Sequence, residues 1–213
     1  MEDKNKIEVS QINKRIVDEI IKGLSAIDNN IISNDSKSNY KKIHGNLVAT
    51  TLRKYILNII NYYGLNYKVS IVNSYLKGSP VEWDLLILKD SAIGINNTNI
   101  YNAGDCVCIL EIKKSGIYNM GDFKKNIKRQ IENINYIRKA ENPNLKFGYI
   151  SFEETPNYFK TAKDYFESLN EKADNLFTFI KYPYNTKVEF IEGCEDFEKY
   201  IFNLLNKKDK TID

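Results

Sequence analysis

The 213-residue sequence predicts one α/β layer domain, and two observations carry that reading. Helical and strand-like periodicities follow one another in the order helix, strands, helix, strand, helix. Two of the strand-like runs, apolar throughout their length, also carry acids at positions where an ordinary core strand holds none. A chain of this length forms a single folding unit with a substantial core and is too short for two ordinary domains.

The first element is an amphipathic helix over 9–27, in which Ile12, Ile16, Ile20, Leu24 and Ile27 recur at helical spacing. Residues 28–39 are polar and rich in turn formers, so they read as a loop. That loop sets an N-terminal segment, 1–39, apart from an α/β domain over 40–213. A second helix fits 46–63, with Leu47, Leu52, Tyr55, Ile56, Ile59 and Ile60 apolar and Gly64 placed to end it. Strands are expected over 67–75, 82–88 and 106–113, with an irregular connection across 90–105. A third helix spans 122–139 on the apolar stripe Phe123, Ile127, Ile131, Ile134 and Ile137, and the run around Pro143 stops it. A buried strand at 145–152, a helix near 158–169, a strand pair at 176–180 and 187–191, and a closing helix at 196–205 complete the chain.

Composition excludes several classes. An apolar fraction of 42% with 28% charged residues is that of a soluble globular protein, and no apolar stretch approaches the roughly 20 residues a bilayer span needs. The N-terminus lacks the apolar region of an export signal, so a cytoplasmic location is expected. Cys106, Cys108 and Cys194 make an odd count without framework spacing, and His44 is the one histidine, which argues against disulfides and structural zinc alike. Cys106 and Cys108 are expected to be buried strand residues, Trp83 a core residue, and His44 a surface or capping-region residue. No glycine-rich phosphate loop or nucleophile elbow is present. Net charge is only +3, but residues 111–148 hold nine Lys and Arg against four acids, so positive charge concentrates just after the third strand run.

The chemistry lies in the two acid-bearing strands. Alternation puts Glu82 and Asp84 on one face of the run EWDLLIL, with Trp83, Leu85 and Ile87 on the other; Glu111 and Lys113 share a face of CILEIKK. Charges entering a sheet interior are paired or bind metal, because an unpaired buried carboxylate is costly. Two carboxylates from neighbouring strands are hard oxygen ligands suited to Mg2+. A lysine two residues beyond the second acid can orient the attacking water and neutralise charge on a scissile phosphate.

Pro80-x-Glu82-x-Asp84 followed by Glu111-Ile112-Lys113, with a helix before the first strand and a basic helix after the last, resembles the PD-(D/E)XK nuclease superfamily. Within it, the His44-Gly45 helix start, the acid-bearing strand and the EIKKSG run resemble small standalone bacterial and phage members, over about residues 40–152. The resemblance implies a restriction endonuclease-like core, a mixed sheet of four or more strands flanked by helices. It further implies Asp84 and Glu111 as ligands of Mg2+ or Mn2+, the backbone carbonyl of Ile112 as a further ligand, and Lys113 as the catalytic lysine. Glu82 is an auxiliary ligand or water-binding group. Many members carry a glutamate in the first core helix; here Ala49 stands at the expected position and the stretch GNLVATTLRKY holds no acid.

Lys114, Lys124, Lys125, Lys128 and Arg129 are the candidate phosphate contacts, Gln130 resembles a helix glutamine of some relatives, and the turn at 182–185 offers tyrosines for base stacking. The expected activity is metal-dependent hydrolysis of DNA in restriction, phage defence or DNA processing, with RNA as another substrate open to the same chemistry. A homodimer is expected for double-strand cutting, with the N-terminal helix as a candidate interface. The rival reading is a nuclease-like domain without strong catalysis that binds nucleic acid or a protein partner.

Overall fold

The computed structural model describes residues 10–30, 37–155, 158–171, 175–181, 188–191 and 196–206. Its elements are α1 (Gln11–Asn30), α2 (Lys37–Tyr62), β1 (Tyr67–Val69), β2 (Ser74–Leu76), β3 (Glu82–Trp83), β4 (Leu85–Lys89), β5 (Ile100–Tyr101), β6 (Cys106–Lys113), α3 (Met120–Ala140), β7 (Lys146–Glu154), α4 (Tyr158–Ser168), β8 (Leu176–Lys181) and α5 (Phe197–Asn206). Five strands form the central sheet in the order β1-β4-β6-β7-β8. The β1–β4 and β4–β6 pairs are antiparallel, β6–β7 and β7–β8 parallel, so the sheet is mixed as expected. A second small sheet, β3-β2-β5, stands beside it.

Each face of the central sheet is apolar, and each is covered. On one side Leu85, Ile87, Cys108, Leu110, Ile112, Ile150 and Phe152 pack against Ile16, Ile20 and Leu24 of α1, Leu52, Ile56 and Ile60 of α2, and Phe197, Ile201 and Leu204 of α5. On the other, Leu86, Leu88, Ile109, Phe147 and Tyr149 pack against Phe123, Ile127, Ile131 and Ile134 of α3 and Ala162 and Phe166 of α4. Helix α1 thus shares a core with the sheet, and its Asn13 Oδ1 accepts the Phe197 N–H of α5 at 3.0 Å. Among the described residues no helix is long and apolar enough to cross a membrane.

Several boundaries differ from the sequence expectation. Helix α2 begins at Lys37 rather than near Asn46, because the polar run that reads as a loop includes its first residues, Lys37 to Asn39. It ends where expected, with Gly64 at φ +61° and the Leu65 N–H returning to Ile60 O at 3.0 Å. The stretch expected as one strand over 67–75 divides between two sheets, with Asn73 at φ +64° marking the turn. The run at 82–88 divides at Asp84 in the same way. Trp83 therefore joins Leu86 and Leu88 on the α3 side, while Leu85 and Ile87 face α2, so the expected single alternation through Trp83 is corrected. Trp83 itself is fully buried, as expected of a core residue.

Of the expected hairpin partner at 187–191, the described part adds an antiparallel bridge from Phe190 to Ile180, with the Ile191 N–H bonding to Phe179 O at 3.1 Å. The turn at 182–185 and Cys194 lie outside the described residues. Cys106 and Cys108 are buried, as expected.

Candidate active site

The break at Asp84 follows from strand register. Leu85 pairs with Leu110, and β4 begins there, so the next outward-facing donor of β6, the Ile112 N–H, has no strand partner on that side. The Asp84 carboxylate takes it instead, with Oδ2 accepting at 2.7 Å. Backbone and side chain are fixed together, since the Asp84 carbonyl also accepts the Asn73 N–H at 3.2 Å.

Strand β6 supplies the remaining groups. Its alternation sends Cys108, Leu110 and Ile112 into the α2-side core, and Glu111 toward α3, where Gln130 hydrogen bonds to its carboxylate. Lys113 Nζ lies 3.0 Å from Asp84 Oδ2 and also pairs with Glu111 Oε1. One ammonium therefore bridges two carboxylates that come from different strands. Glu111 is 5% exposed, and its carboxyl is pushed up to about 7 by burial and by the facing Asp84 charge, against the stabilising contacts of Lys113 and Gln130. Burial pulls the Lys113 ammonium down, but the Glu111 and Asp84 carboxylates outweigh it and hold Lys113 above the usual lysine range.

Asp84, Ile112 and Lys113 line a cleft of about 970 Å³ at the carboxyl ends of β6 and β7, whereas Glu111, buried beneath Lys113, is not among its lining residues. Asp84, Glu82, Ile112, Lys113, Lys114 and Glu153 line it on the sheet side, and Tyr40, Lys41, Lys42, His44, Gly45 and Asn46 of α2 form the facing wall. Glu82 is exposed and accepts the Tyr75 hydroxyl hydrogen bond. The donor set suits a hard divalent cation: two carboxylates and a backbone carbonyl, all oxygen, with no sulfur or imidazole among them. Among the described residues no group of three or more His, Cys, Asp or Glu side chains is placed to hold a metal, so an ion here would draw the rest of its shell from water and substrate oxygens.

No family model and no curated protein sequence matches the chain. Its fold has solved counterparts. NucC from P. aeruginosa ATCC27853 in its cAAA-bound form aligns at a TM-score of 0.53 with 10% sequence identity, over 94% of this chain and 90% of that one. NucC from E. coli MS115-1, also cAAA-bound, aligns at 0.52 with 12% identity and the same coverage. The chain has a NucC-like, restriction endonuclease-like fold. The likeness of fold extends over nearly the whole chain rather than residues 40–152 alone.

Within this NucC-like fold the other expected residues are distributed unevenly. Lys114 reaches the cleft, where its ammonium bonds to Glu153 Oε1 at 2.8 Å. Lys124, Lys125, Lys128 and Arg129 are exposed along α3 and do not line the cleft. Ala49 is buried in the α2-side core, and the helix positions that face the cleft are those from Tyr40 to Asn46, a turn or more earlier. His44 is 5% exposed inside α2, which corrects the expectation of a surface or capping residue. Its Nε2 lies 3.0 Å from Asp28 Oδ1, and burial, more than the opposing Asp28 charge, lowers its pKa.

Glu153 is the cleft residue that sequence reading missed. It is fully buried, and its Oε1 takes both Lys114 and the Ser115 hydroxyl. The apolar run reads as ending at Phe152, whereas β7 continues to Glu154. Two adjacent acids directly after an apolar strand were the available signal.

Proposed function

We propose that this chain is a divalent-metal-dependent endonuclease that hydrolyses DNA phosphodiester bonds. Asp84, Glu111 and the Ile112 carbonyl hold Mg2+ or Mn2+, and Lys113 stands beside them as the catalytic lysine. The observation that carries the reading is the meeting of two carboxylates from separate strands around one ammonium, with Asp84 and Lys113 lining a cleft. The NucC-like fold supports it at the level of architecture.

A divalent cation at such a centre polarises a phosphoryl oxygen and acidifies water. The chain's own groups do the rest. Lys113, held above the usual lysine range, remains an ammonium at neutral pH, so it donates hydrogen bonds and neutralises charge gathering on the phosphate rather than accepting a proton. The Ile112 N–H and Lys113 together fix the Asp84 carboxylate, and Gln130 hydrogen bonds to that of Glu111, which preorganises both acids before substrate arrives. Glu82, tethered by Tyr75, is placed to hold water at the cleft mouth.

Cutting both strands of a duplex takes two such sites, so a homodimer or larger assembly forms part of the proposal. Restriction, phage defence or DNA processing are the roles such an activity would serve. The test is incubation of the purified chain with supercoiled plasmid and Mg2+ or Mn2+, with and without cAAA, the ligand bound in both NucC structures. Nicked or linear product that EDTA suppresses supports the proposal; plasmid left intact under every condition overturns it. RNA run in parallel decides the substrate class.

A further inference from the structure

The cleft carries four lysines, and they are not equivalent. Lys113 is matched by Asp84 and Glu111, and Lys114 by the buried Glu153. Lys41 and Lys42 on the facing wall are exposed, and neither takes part in an ion pair among the described residues. Among the described residues, the uncompensated positive charge of the cleft is therefore on α2, across from Asp84 and Lys113.

Gly45, on the same wall, gives an independent indication. It lies inside a 26-residue helix, where glycine weakens the helix relative to alanine. A Cβ built there meets nothing within 4 Å among the described residues, so no packing among them calls for its smallness. Gly23 of α1 shows the contrast: a Cβ there would run into the Leu47 side chain. Bare backbone facing a cleft, without an internal packing reason, suits the close approach of something from outside.

We propose that the Lys41, Lys42 and Gly45 surface of α2 is the docking wall for the sugar–phosphate backbone of the DNA strand being cut. The two ammoniums hold phosphates flanking the scissile one, and Gly45 lets that backbone come close to the helix. Placement of the scissile phosphate at Lys113 rests on the nuclease reading above, whereas docking itself is measured without chemistry. Lys124, Lys125, Lys128 and Arg129 of α3 do not line the cleft.

The test is fluorescence anisotropy of the full chain with a labelled DNA duplex in EDTA, repeated over a range of salt concentrations. Each phosphate contact contributes roughly 0.9 to the slope of log affinity against log salt, so Lys41→Gln/Lys42→Gln is expected to lower the slope by about 1.8. Gly45→Leu is expected to raise the melting temperature, as a better helix former, while weakening binding at least tenfold. Gain of stability with loss of binding separates a docking role from misfolding.

Wild-type slope in the double variant, or undiminished binding by Gly45→Leu, overturns the proposal. A slope that falls only when Lys124, Lys125, Lys128 and Arg129 are neutralised overturns it too, as does absence of DNA binding by the wild type. Binding that changes as expected without any cleavage leaves the docking wall standing and sinks the nuclease reading instead.

Discussion

Asp84 and Lys113, 29 residues apart in sequence, meet at 3.0 Å through Oδ2 and Nζ, and the same oxygen accepts the Ile112 N–H. One carboxylate oxygen thus satisfies the Ile112 N–H where β4 ends and faces the Lys113 ammonium. The two tasks can be separated by substitution.

Asp84→Ala removes the acceptor of the Ile112 N–H as well as the charge, and a buried amide left without a partner costs about 1–3 kcal/mol. Asp84→Asn keeps an acceptor oxygen. The alanine variant is expected to unfold at clearly lower denaturant than wild type and the asparagine variant near wild type, with both losing divalent-ion binding. Urea melts with calorimetric Mn2+ titration check this; equal stability loss in both variants would show that the Ile112 bond is not what the carboxylate supports.

Gln130, 6% exposed on α3, hydrogen bonds to the Glu111 carboxylate. Groups that orient a metal-binding carboxylate commonly contribute about 10–100-fold in affinity. Gln130→Leu is therefore expected to weaken Mn2+ binding by that order while leaving duplex binding in EDTA unchanged. Unaltered Mn2+ affinity would remove Gln130 from the account.

Glu154 gives a pH dependence that belongs to the fold. Burial pushes its carboxyl up to about 8, with Lys181 opposing only in part, and its Oε2 lacks a hydrogen-bond partner among the described residues. An acid whose folded pKa is raised binds its proton more tightly folded than unfolded. It costs nothing below the unfolded pKa of about 4.5, and its cost grows as pH rises from there toward 8. Glu154→Gln is expected to flatten the decline of melting temperature between about pH 5 and 8. Parallel curves for the two proteins across that window would contradict it.

Gly116 follows β6, and a Cβ added there would run into the Tyr149 hydroxyl and the Lys113 side chain. Gly116→Ala is expected to destabilise by about 1–3 kcal/mol, the usual cost of overpacking, and to cut activity by displacing Lys113. Thermal melts and plasmid cleavage on the same preparation check both halves.

Much of this was legible in the sequence because it depends on short-range pattern. The apolar run before Glu111-Ile112-Lys113 fixes a strand, and period-two alternation puts the acid and the lysine on one face. Other features depend on contacts between distant segments. The division at Asp84 is set by where β4 meets β6, and the local run from Glu82 to Leu88 contains no sign of it. The early start of α2 was hidden because its polar first turns resemble a loop until they form a cleft wall. For the same reason, Lys41 and Lys42 look unremarkable in sequence and acquire meaning only across from Asp84 and Lys113.

The most direct test of the proposed centre compares plasmid cleavage and Mn2+ binding by wild type, Asp84→Asn and Lys113→Met, purified side by side. The account predicts metal-dependent cutting by wild type, loss of both binding and cutting in Asp84→Asn, and retained Mn2+ binding with cutting reduced at least about a hundredfold in Lys113→Met. Cutting that persists in both variants would contradict it.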